Sequence, residues 1–146
     1  KYMEAVYAIP AVVAGVFFQI QYFIYANIVY YYKKTKWVMY ASLSSAILNV
    51  VLNYIMISKF GYIAAGYTTL ISYIMQAVMD CFAMKKVVGK YVYNMKQILI
   101  ISLAVIVLAL VSNFLYSSIF IRYIIIFIIF IFGIVKRKHI LTIIKI

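Results

Sequence analysis

The chain has 146 residues, 69% of them hydrophobic, with a mean hydropathy of +1.10. A soluble domain is about half apolar, so the composition excludes an ordinary water-soluble globule and points to an all-α, polytopic membrane helix bundle. The net charge of +12 comes from 14 Lys and Arg against Glu4 and Asp80, but the cations sit between apolar runs, a placement that reads as membrane orientation and not as a nucleic-acid-binding face.

Five apolar runs predict five transmembrane helices. Run one covers residues 5–32. As a straight helix it would be roughly 42 Å long against a ~30 Å hydrocarbon core, so it must tilt, kink or protrude. Pro10 is the expected kink, and Gly15 lets a neighbour approach closely. Run two, 37–58, follows the basic stretch KKTKW and has no charge. Run three, 60–84, starts at once after a tight break at Lys59-Phe60-Gly61, so runs two and three form an antiparallel hairpin. Run four is 97–116. Run five, 119–135, is near the minimum for spanning, with a re-entrant segment as the alternative. A hairpin is expected at Ser117-Ser118, in a polar cluster with Ser112 and Asn113. No run alternates apolar with polar residues, and an open sheet edge cannot face lipid, so strands are excluded.

Charge then orients the bundle. With five spans, Lys33, Lys34 and Lys36, then Lys85, Lys86, Lys90 and Lys96, then Lys136, Arg137, Lys138 and Lys145 fall on one side. Lys1, Lys59 and Arg122 fall on the other. The richer side is the cytoplasmic one, so the expected chain starts outside and ends inside. The basic tail suits anionic headgroups of membrane lipids, and tyrosines at run ends, such as Tyr30, Tyr31 and Tyr32, fit an interfacial belt.

Groups for chemistry are scarce. Cys81 is the single cysteine and His139 the single histidine, so no disulfide, metal site or cofactor is expected. Glu4 and Asp80 fall near opposite faces of the predicted bundle, and general acid/base work needs a tuned group near a partner. An enzyme is therefore not expected. The chain begins with Lys1 and shows no signal-peptide pattern, and it reads as part of a longer protein.

Two polar stripes carry more information. Ser45, Asn49 and Asn53 recur every four residues on run two; Thr68, Ser72, Gln76 and Asp80 do so on run three. Unpaired amides and hydroxyls facing lipid cost about 2–7 kcal/mol each. Both stripes must face protein or a water-filled cavity, which leaves two readings: interhelical hydrogen-bond glue, or the lining of a substrate or ion pathway. Asp80 allows the same choice. It is either an interfacial carboxylate paired with Lys85 or Lys86, or a group that binds a coupling ion. Gln19, Gln21 and Asn27 on run one carry the same alternatives. Arg122 either snorkels to the interface or contacts phosphate.

The region 20–90 also carries an ordered motif. Basic residues precede a helix with N-x-x-x-N, and K-F-G-x-x-A-A-G-x-x-T-x-x-S opens the next. This resembles the C-terminal half of the O-antigen and polysaccharide flippases, of the multidrug/oligosaccharidyl-lipid/polysaccharide exporter superfamily. The matching residues are Asn49, Asn53, Phe60, Gly61, Ala64, Ala65, Gly66, Thr69 and Ser72; the family usually has Ile-Pro where this chain has Ile57-Ser58. The resemblance implies a transporter that moves lipid-linked oligosaccharide across the cytoplasmic (inner) membrane. Its partners would be a polyprenyl-diphosphate-linked oligosaccharide and the N-terminal half of the same protein. Two alternatives stand beside it: another exporter of the superfamily, for drugs or lipids, and a membrane enzyme of envelope polysaccharide assembly.

Overall fold

Pro10 decides where the first long helix begins. Proline lacks a backbone N–H and suits the first turn of an α-helix, where that donor would have no partner. In the computed structural model, which describes residues 2–115 together with Tyr123, Ile124 and Phe127, a short 3-10 helix (Tyr2–Ala8) leads into α1 (Ile9–Tyr31) with Pro10 in its first turn. The kink expected within run one is thus a change of helix type at its start.

A short turn with Lys33 at φ 56° leads into α2 (Thr35–Phe60). Gly61 ends α2 at φ 75° and ψ −172°, a conformation essentially reserved for glycine. The break therefore falls at 61–63, after the expected 59–61. Accordingly α3 (Ala64–Val88) is displaced toward the C-terminus from the predicted 60–84, and it stops where Gly89 takes the left-handed conformation and returns its N–H to the Lys85 carbonyl. The fourth helix, α4 (Met95–Leu115), lies close to run four. Run five, the Ser117-Ser118 hairpin, Arg122 and the basic tail lie outside the described residues, save for helical Tyr123, Ile124 and Phe127. The chain divides into two compact units, 1–110 and 111–146, and every contact below belongs to the first.

The axis of that unit is α3. It packs along both α1 and α2, which scarcely meet each other. Small residues bring the backbones together. A Cβ added at Gly15 would lie 3.4 Å from the Tyr73 ring and 3.8 Å from the Leu70 Cα. One added at Gly66 would lie 3.2 Å from both the Cβ and the carbonyl oxygen of Ala8. Gly66 therefore serves the approach of α3 to the segment before α1, and not the hairpin with α2. At the other end of α3, Tyr25, Ala26 and Val29 of α1, Val38 of α2, and Cys81, Ala83 and Met84 form the main apolar cluster.

The outer surface is the reverse of a soluble protein's. Val13, Ile20, Val50, Tyr54, Ile100 and Leu108 are exposed, whereas Ser45, Thr68, Ser72, Gln76, Asp80 and Ser102 are buried. Among the described residues three helical stretches, Glu4–Tyr31, Thr35–Phe60 and Met95–Ser112, are long and apolar enough to cross a membrane. Run three, predicted as a further span, does not join them. Thr68, Thr69, Ser72, Gln76 and Asp80 interrupt its apolar sequence.

Candidate functional site

The polar stripes meet face to face. Ser45 of α2 donates to the Ser72 carbonyl oxygen at 2.8 Å, and Ser72 donates its own hydroxyl to the Thr68 carbonyl at 2.8 Å. The Thr68 hydroxyl sits between Asn53 Oδ1 and the Ala65 carbonyl. Asn53 Nδ2 donates to Asn49 Oδ1 at 2.9 Å, and Asn49 Nδ2 extends toward Thr69 Oγ1 at 3.5 Å. Further along, Gln76 Nε2 donates to Ser42 Oγ at 3.0 Å. The result is a hydrogen-bonded seam along the α2–α3 contact, in which Asn49, Asn53, Thr68, Ser72 and Gln76 all take part. Of the two readings open from the sequence, the geometry of these five is that of interhelical glue.

Ser42 is the seam residue that stepping by four misses. Counting back four from Ser45 gives Ala41. The seam follows 42, 45, 49 and 53, whose mixed three- and four-residue steps track the 3.6-residue turn better than a strict four.

That drift also separates Asp80 from the seam. Each four-residue step advances roughly 40° around a helix, so Asp80 has turned roughly 120° from Thr68. Asp80 is fully buried, at 0% exposure, and among the described residues neither carboxylate oxygen has a hydrogen-bond partner. Nor does it pair with the lysines that follow. Lys85 Nζ lies 4.5 Å from the centre of the Tyr91 ring, and Lys86 Nζ lies 4.2 Å from that of Trp37. Both cations stack on aromatic faces, a geometry worth about 0.5–2 kcal/mol. The carboxylate is an acceptor without a donor, placed where a proton or cation would complete it.

A second, smaller polar contact ties α1 to α4. Ser102 donates to Gln21 Oε1 at 3.4 Å, and Gln21 Nε2 donates to the Tyr25 hydroxyl at 3.1 Å. Gln21 is thus a bridging residue, while Asn27 is exposed and borders a shallow depression with Tyr31 and Tyr93. Between α1, α3 and α4 lies an apolar groove of about 460 Å³. Among the described residues no three His, Cys, Asp or Glu side chains gather as metal ligands.

What fold and site define together is a class: across the described residues, an all-helical chain with three helices able to cross a membrane, apolar outside and polar along an inner seam. A scan against protein-family models, a search of curated proteins and a search of solved structures each find no match.

Proposed function

We propose that this chain is the C-terminal transmembrane bundle of a transporter that moves a polyprenyl-diphosphate-linked oligosaccharide across the cytoplasmic membrane. The exposed apolar helices and buried polar seam support placement in lipid. The substrate class rests on the ordered motif through residues 49–72.

The observation that carries a transport reading is Asp80. An ionisable side chain buried in a spanning bundle without a partner is costly, and such groups mark ion pathways. Structural glue does not explain it, because among the described residues nothing donates to it. Asp80 is the group at which a coupling proton or sodium ion would bind, while Asn49, Asn53, Thr68, Ser72 and Gln76 hold α2 and α3 as one body beside it.

The test is Asp80→Asn in the complete transporter, with export of labelled lipid-linked sugar followed under an imposed proton or sodium gradient. Loss of gradient-driven export at normal abundance is expected, with Lys85→Ala retaining export. Normal gradient-driven export by Asp80→Asn would remove the coupling role.

A further inference from the structure

The groove between α1, α3 and α4 has a shape and a charged rim that the transport reading does not use. Its walls include Phe18, Ala77, Cys81, Leu99 and Leu103. The polar groups inside, Gln21 and Ser102, already bond to each other, so what remains for an occupant is hydrocarbon. Along α4 the lining runs from Lys96 to Ile106, about 15 Å at 1.5 Å per residue. That is half of a ~30 Å hydrocarbon core, the depth of one leaflet.

At the shallow end the groove is rimmed by Lys96 and by Tyr91, on whose ring Lys85 sits. Lys86 and Lys90 stand in the same segment. Among the described residues neither side-chain carboxylate pairs with this cluster. Glu4 lies at the far end of the first helical stretch, and Asp80 is buried without a partner while Lys85 and Lys86 sit on Tyr91 and Trp37.

We propose that the groove binds an anionic phospholipid. One acyl chain fills the space between α1, α3 and α4, and the headgroup phosphate sits between Lys85 and Lys96. The inference rests on the membrane placement above and on no transport step. An apolar slot one leaflet deep fits a phospholipid chain and is too short for an extended polyprenyl chain. An uncompensated pair of lysines at its mouth selects a negative headgroup over a zwitterionic one.

Fluorescence quenching by brominated lipid tests this. Trp37, the sole tryptophan, is replaced by Phe, and Phe18→Trp places a reporter at a buried position of the groove wall. The protein is reconstituted in phosphatidylcholine bilayers with dibromo-phosphatidylglycerol or dibromo-phosphatidylcholine at equal mole fraction. The expected result is a preference of roughly thirtyfold for the anionic lipid at position 18, from two lysines, kept in Lys85→Arg/Lys96→Arg and lost in Lys85→Gln/Lys96→Gln. A reporter at exposed Val50 (Val50→Trp) should be quenched equally by both lipids. Equal quenching at position 18, or a preference that survives removal of both charges, would overturn the proposal. So would no quenching there while position 50 is quenched, which would mean that the chain's own residues fill the groove. Absence of quenching at position 50 would instead remove the membrane placement on which both readings stand.

Discussion

Ser45 on α2 donates its hydroxyl to the Ser72 carbonyl oxygen on α3 at 2.8 Å, and both residues are buried. This bond reaches from one helix's side chain to the other's backbone. It fixes the two helices in register as well as in contact, because a carbonyl cannot change rotamer.

Ser45→Ala should therefore lower the stability of the folded bundle by about 0.6–1.7 kcal/mol, the range of interhelical hydrogen bonds in membranes. Unfolding of the purified protein by mixed detergent measures it. Ser45→Leu should cost more, since the site is buried and the larger side chain must separate α2 from α3.

Gly61 gives a backbone prediction free of packing. A Cβ there meets nothing within 4 Å, but φ is +75°. Gly61→Ala should destabilise by about 1–3 kcal/mol through strain alone. A fall in stability with Ser58→Ala, at the exposed end of the same helix, close to neutral would locate the effect in the turn.

Gly66 tests the opposite case. Its backbone is ordinary helix, but the space above it is taken by Ala8 at 3.2 Å. Gly66→Ala should be tolerated only if the segment before α1 shifts by a few tenths of an ångström, and Gly66→Leu should sharply reduce folded protein in membranes. Ala8→Gly should partly rescue Gly66→Ala and should do nothing for Gly61→Ala; a double-mutant cycle reads this directly.

Orientation is tested chemically. With Cys81 replaced, single cysteines at positions 34 and 90 should resist an impermeant thiol reagent in intact cells, and one at position 59 should react. Reaction at position 90 would reverse the placement of the basic segments.

Much of this architecture was legible in the residues, for physical reasons that also mark where legibility stops. Long apolar runs between lysines gave α1, α2 and α4 nearly to their ends, because spanning length and charge placement are local properties. Gly61 gave the turn, although its bounds moved because Lys59 and Phe60 remain helical. The stripes gave the faces of α2 and α3 that turn inward, and the structure shows that these faces meet. They did not give Ser42, because the four-residue step runs ahead of the helix, and they joined Asp80 to a line from which helix geometry turns it away. The partner of Gly66 was not readable either. Which of two neighbours fills a small-residue notch depends on how three helices lean, and no spacing along one helix encodes that. The aromatic seats of Lys85 and Lys86 are likewise tertiary facts, since Trp37 is supplied by a different helix.

The central position of α3 has a consequence for biogenesis. Of the four described helices it is the one whose own sequence falls short of spanning apolarity, and it carries a buried carboxylate. An acidic residue near the middle of an inserting helix costs about 2.5–3.5 kcal/mol on insertion scales, less toward its ends. A helix of this kind gains little by entering the lipid alone. Its neighbours α1 and α2 precede it in synthesis and scarcely touch each other; α2 offers it the Ser and Asn side chains it needs, and α1 offers a close-packed apolar wall. Translation order thus sets out two walls before the element that joins them. On the proposed membrane placement, the third helix is expected to enter the lipid only as it packs on the other two.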